Sequence, residues 1–300
     1  VGASSSPNFE PVSFTQTVAL GALAGFTIYL GLPIGRLRLL SNRGRVGLAM
    51  FAVGVLAFVF VDVGEHALGI VEETVGGLKG AHPSHSLAEA IGLALVLAVG
   101  FGAGSAGLAF LERRMRPVGP RRAPIAGGSS AAVLPPGHAE ALVTEAEIAR
   151  RRALRTGLTI AAAIGIHNFA EGLAIGVSAR SGAISLATVL IIGFALHNAT
   201  EGFGIVGPLG DVKPSWRWLG LAGLISGGPT FLGSIVGYNV TSQPLELAFY
   251  ALAAGAILYV IGEVWNGMRR YGHRELGLLL LTLGFVVGVV TDMVVVYGGA

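Results

Sequence analysis

Residues 167–176 read HNFAEGLAIG, and residues 197–206 read HNATEGFGIV. Each stretch lies inside an apolar run, so His, Asn and Glu recur at one spacing where a lipid core makes polar groups costly. On a helix, Glu171 follows His167 by four residues and Asn168 by three, which puts all three side chains on one stripe. His197, Asn198 and Glu201 repeat that stripe. The connection between the two runs is short, so they are expected to form an antiparallel hairpin with both stripes near mid-helix. Facing each other, the stripes offer two imidazoles, two carboxylates and two amide oxygens. That donor set suits a divalent cation, zinc first, with iron, manganese, cobalt, nickel or cadmium also admitted. A single His or Asn in such a helix usually serves only to bond one helix to another. Two matching carboxylates are a different matter, because each costs about 3 kcal/mol in the bilayer unless a cation or partner offsets it. A zinc peptidase does not fit, since that chemistry uses H-E-x-x-H and each helix here offers one His with a Glu one turn on.

The surroundings say membrane. Of the 300 residues 53% are hydrophobic and 12% charged, and 47 are glycine, a composition outside the range of globular enzymes. A bilayer core needs roughly 20 apolar residues per helix, and runs of that length fall near 14–35, 46–70, 86–111, 156–179, 184–208, 217–239, 245–268 and 276–298. The expected fold is therefore all-α and polytopic, with eight transmembrane helices. The first run follows a polar tail without a basic segment and reads as a retained helix. With no cysteine, thiolate ligands and disulfides are excluded.

Eighteen of the 20 Lys and Arg fall on one side of these helices, leaving only Lys79 and Arg180 on the other. Positively charged loops stay inside, so both termini are expected to be periplasmic in a bacterial inner membrane. The net charge of +3 then reports insertion and anionic headgroups, with no nucleic-acid partner implied. Organisation follows: residues 1–112 hold the tail and helices one to three, 113–155 a flexible cytoplasmic loop with a short helix over 136–155, and 156–300 helices four to eight. Residues 24–35 (AGFTIYLGLPIG) and 226–237 (SGGPTFLGSIVG) share Gly25/Gly227, Leu30/Leu232, Gly31/Gly233 and Gly35/Gly237. These segments run in opposite directions across the membrane, the trace an inverted repeat leaves, in a 3+2+3 arrangement. Glycine-rich membrane helices can also resemble each other by composition alone.

At the paired motif the chain resembles the ZIP (Zrt/Irt-like) metal transporters, in their bacterial branch, whose fourth and fifth helices read roughly H-N-F-P-E-G and H-N-I-P-E-G. The resemblance covers nearly the whole chain. It implies a primary site of His167, Glu171, His197 and Glu201, with Asn168 and Asn198 facing a second position. It also implies a homodimer, and a movement of helices one, four, five and six against a scaffold of the rest. Two departures stand out: the motif prolines are Ala170 and Thr200 here, and Thr230 occupies a position where the family often carries Glu. One well-bound metal per protomer is the expectation.

Further intramembrane charges mark a route. Asp62, Glu65 and His66 lie together in the second run near its outer end, Glu263 lies toward the cytoplasmic half of the seventh, and Asp292 and Glu89 are weaker candidates. His82 and His85 form an external pair that reads as solvated. The function read from these residues is transport of a divalent metal into the cytoplasm, with Zn2+, Fe2+, Cd2+ or Mn2+ as cargo, no catalytic cofactor and no enzymatic activity. A proton-coupled organic-solute carrier using the His/Glu pairs as a relay is the competing reading, and a metal sensor without flux is a third.

Overall fold

The computed structural model describes residues 13–37, 41–79, 84–115, 138–180, 198–239 and 242–297. Helix α1 (Phe14–Phe26) opens on a reciprocal cap: the Ser13 hydroxyl accepts from the Gln16 amide at 3.3 Å, and the Gln16 side chain accepts from the Ser13 amide at 2.9 Å. It tightens into a 3-10 turn at Thr27–Leu30, passes Pro33, and ends in α2 (Ile34–Leu37). Helix α3 (Asn42–Gly76) is 35 residues long and capped by Ser41. Helix α4 (Leu87–Gly102) runs through a π turn (Ala103–Gly107) into α5 (Leu108–Met115). Then come α6 (His138–Arg180), α7 (198–206), a 3-10 turn at Gly207–Leu209, α8 (Trp216–Asn239), α9 (Gln243–Arg269) and α10 (Arg274–Tyr297).

Seven stretches among the described residues are long and apolar enough to cross a membrane. The run expected at 184–208 lies mostly outside them. The segment read as a flexible loop with a short helix over 136–155 is different in one respect. From His138 it is helical and continues without a break to Arg180, 43 residues in all. Its Ala, Glu, Leu and Arg are strong helix formers, and no Pro or Gly interrupts them before Gly157. Ala170 sits inside this helix, which continues through it without a break.

The helices pack in two groups. α6 lies along α8, and α1 lies on both; α3 is covered by α9 and α10, and α4 by α9. The α6–α9 contact joins the groups. Where α1 crosses α8, Gly25 and Gly227 meet backbone to backbone, and a Cβ added to either would strike the other's carbonyl. Such close crossings by small residues are how helices associate when lipid tails are as apolar as leucine. Outward faces of α4 and α10 carry Ile91, Leu95, Val99, Leu279, Leu283 and Val290, all more than half exposed or at half, as suits a lipid boundary.

Candidate metal centre

One face of α6 carries His167, Asn168 and Glu171, and α7 brings Asn198 and Glu201 against it. All five are buried, four of them completely. His167 Nε2 lies 2.9 Å from Glu171 Oε1 and 3.8 Å from Glu201 Oε1, so one imidazole nitrogen touches one carboxylate and nears the other. His197, the fourth ligand expected, lies outside the described residues. Among the described residues no three His, Asp or Glu side chains stand at the spacing of a closed metal cage.

The asparagines explain how the two stripes are aimed. Asn168 Nδ2 donates to the Ser226 carbonyl of α8 at 3.0 Å, and Asn198 Nδ2 donates to the Ala24 carbonyl of α1 at 3.1 Å. Ala24 and Ser226 hold the same place in the internal match, as Asn168 and Asn198 do in the paired motif. Both carbonyls lie next to the Gly25–Gly227 crossing, so the two amides converge on it. The glycines follow the same pairing: Gly31, just past the 3-10 turn that follows α1, packs on Gly202 of α7, and Gly233 of α8 packs on Gly172 of α6. With each amide nitrogen engaged by backbone, the oxygens are left over. Asn168 Oδ1, Asn198 Oδ1 and the Thr230 hydroxyl are buried without a hydrogen-bond partner among the described residues. Buried oxygens in that condition are costly to keep and suit a site built to receive a cation.

Thr230 is fully buried, against Gly25 at the crossing. The Pro229 beside it has no N–H, so the helix bond to the Ile225 carbonyl is missing at this point. On the equivalent stretch of α1 the 3-10 turn begins, and the Thr27 hydroxyl donates to the Ala24 carbonyl at 2.6 Å. Both helices are thus irregular where they meet the asparagines.

The residues read as a route are placed apart from this centre. Asp62 and His66 of α3 have side chains 40% and 59% exposed, and Glu65 is exposed. His66 Nδ1 lies 2.9 Å from its own helix's Asp62 carbonyl, which engages that nitrogen and leaves Nε2 facing away from it. Asp62 is nonetheless near enough to His167 and Glu171 to feel their charges. Glu263 is half-buried on α9, toward the opposite end from Asp62. Asp292, half-buried on α10, lies in electrostatic reach of Asp62. Glu89 is in the first turn of α4, where His85 Nδ1 stands 3.2 Å from its carboxylate; His82 lies outside the described residues. Two α9 residues that the reading of the sequence passed over lie near the α3 group: the Tyr250 ring is 5.7 Å from the His66 ring, and Glu246 precedes Tyr250 by one turn on the same helix. Their four-residue spacing on one helix was the available signal.

Residues 130–262 match the family described as ZIP Zinc transporter. The zinc transporter ZupT of Clostridium perfringens (strain 13 / Type A) is 34% identical over 152 residues, which are 48% of this chain and 52% of that protein. The chain therefore spans about half the length of the curated relative it matches. The matched region takes in both H-N-x-x-E-G stretches and the helix that carries Thr230, so it is over this part that the chain is similar to the ZIP zinc transporters.

Proposed function

We propose that this chain moves a divalent metal, zinc first, across the bacterial inner membrane into the cytoplasm, through a site made by His167, Asn168, Glu171, His197, Asn198 and Glu201. The observation that carries the reading is the burial of His167 with Glu171 and Glu201 at 2.9 and 3.8 Å, together with two buried amide oxygens, of Asn168 and Asn198, that have no partner among the described residues. Carboxylates and imidazoles replace the ion's water shell, and the asparagine oxygens add neutral donors. The family match over residues 130–262 and the relative's name favour zinc. Iron, cadmium and manganese are the other cargoes the donor set admits.

Asp62, Glu65 and His66 would receive the ion from outside and Glu263 would lie on its way in. The grouping of α1, α6, α7 and α8 apart from α3, α4, α9 and α10 supports a movement of the first group against the second. The paired contacts of Ala24 with Asn198 and of Ser226 with Asn168 support an inverted repeat and, with it, an eight-helix 3+2+3 arrangement. The strong bias of Lys and Arg supports a periplasmic side for both termini. A homodimer is part of the same reading, through lipid-facing surfaces of the second group.

Zinc flux into sealed proteoliposomes tests this. The wild type should transport zinc, and its zinc affinity should fall as pH drops from about 7 to about 5, because ligand imidazoles and carboxylates take up protons that compete with the metal. Flux that is absent in sealed vesicles removes the transport reading. A proton-coupled organic-solute carrier draws support from the 2.9 Å His167–Glu171 contact, which is of proton-relay length. Zinc-dependent thermal stabilisation separates the two, since a relay without metal would show none.

A further inference from the structure

The loop between α7 and α8 is gripped by three arginines: Arg36 of α2, Arg45 of α3 and Arg270 at the C-cap of α9. Arg36 Nη1 donates to the Pro214 carbonyl at 2.6 Å, and Arg270 Nη2 donates to the Pro208 carbonyl at 2.9 Å. Arg45 Nη1 reaches Asp211 Oδ1 at 3.2 Å and the Tyr271 hydroxyl at 3.3 Å. Tyr271 carries two guanidiniums against its ring, Arg45 at 5.6 Å and Arg270 at 5.0 Å. Gly210, at φ 62, lets the loop pass close beneath: an added Cβ would lie 2.5 Å from the Tyr271 hydroxyl.

Beside this grip opens a cavity of about 490 Å3. Ile34, Leu48 and Phe203 make an apolar floor, while Ser41, Arg45 and Lys213 give a polar rim. The charges there are two cations and the single carboxylate of Asp211. That carboxylate is a poor competitor for Arg45, because its side chain is 93% exposed and solvent screens it, whereas the Arg45 side chain is only 18% exposed. Among the described residues Arg45 donates through Nη1 alone, so Nε and Nη2 keep their donors for something else.

Depth in the membrane narrows what that something is. Ile34 belongs to the last turn of the first span, and Arg45 to the first turns of α3. At 35 residues α3 is longer than the roughly 20 needed to cross the core, so its first turns stand in the headgroup layer. Phosphate lies at that depth, and a guanidinium with two free donor groups matches its oxygens.

We propose that this cavity binds a phosphate group, with Arg45 and Lys213 holding its oxygens, the Ser41 hydroxyl donating, and the apolar floor accepting whatever the phosphate carries. The group comes either from an anionic phospholipid or from a soluble phosphate. An occupant would join the ends of α2 and α7 to the start of α3. The proposal does not depend on the transport reading.

Native mass spectrometry of the purified full chain in micelles, at constant ionic strength, tests it with phosphatidylglycerol, phosphatidylcholine and inorganic phosphate as probes. Phosphatidylglycerol should be retained over phosphatidylcholine. Lys213→Gln, at an exposed position without a hydrogen-bond or ion-pair partner among the described residues, should weaken that retention about fivefold, as should Arg45→Gln, while Arg151→Gln on the exposed face of α6 should leave it unchanged. Displacement of the lipid by inorganic phosphate assigns the site to a soluble phosphate as well, and failure to displace it assigns the site to lipid. Retention that Lys213→Gln does not alter, or no preference for phosphatidylglycerol and no phosphate binding, overturns the proposal, whether or not the Arg45 variant folds.

Discussion

Two regions of this molecule carry His beside carboxylates, and they are built in opposite ways. On α6 and α7, His167, Glu171 and Glu201 are no more than 5% exposed. Their stripes are fixed from outside, by Asn168 on a carbonyl of α8 and Asn198 on a carbonyl of α1. On α3, Asp62 and His66 are 40% and 59% exposed, and the bond that fixes His66 is to its own helix. Burial removes water's competition for a cation, and anchors from neighbouring helices preorganise the ligands, so the first region can hold an ion. The second keeps its hydration and its freedom, which suits passing an ion on. On the proposed reading, the same residue types would serve as a site or as an approach according to what surrounds them.

Neutralising a buried carboxylate should separate the regions most. Glu171→Gln or Glu201→Gln should lower zinc flux by roughly 100-fold while the protein stays folded, since a buried charged ligand contributes about 2–5 kcal/mol to holding its partner. Flux near wild type in either variant would move the site elsewhere. Next come the anchors: Asn168→Leu or Asn198→Leu should cost about tenfold in zinc affinity, one hydrogen bond and one oxygen ligand at a time, read by calorimetry. If the anchors were only packing, Asn→Leu would leave affinity intact. Asp62→Asn should raise the zinc KM about threefold with the maximal rate unchanged, the effect of an exposed charge that steers and does not hold. A lowered maximal rate would place Asp62 in the site itself. The smallest effect concerns Thr230. Thr230→Asp adds a carboxylate at the Gly25–Gly227 crossing on which the two asparagines converge, so zinc bound per chain should rise from about one to about two, because the extra charge offsets a second dication. Two ions tightly bound to the wild type would contradict the single-ion reading.

Much of this was legible before any coordinates. Apolar runs located the spans, and the repeated H-N-x-x-E stripe pointed to the buried cluster of His167, Glu171 and Glu201, because both depend only on spacing along a helix. The weak match of 24–35 with 226–237 proved to mark the segments whose carbonyls receive the two asparagines. What those asparagines bond to was hidden, since a backbone carbonyl has no residue type to betray it. The continuous helix through His138–Arg180 was missed because the Pro- and Gly-rich stretch before it coloured the reading of everything up to Arg155. The grip on the 207–214 loop was invisible for the same reason as the asparagine anchors: two of its three arginines donate to carbonyls, of Pro208 and Pro214.

Element-specific anomalous X-ray scattering at the zinc edge, from crystals of the purified chain grown with zinc, tests the central claim most directly. One strong peak per chain is predicted among His167, Glu171 and Glu201, within ligand distance of His197. A peak confined to Asp62, Glu65 and His66, with none among the buried residues, would contradict it.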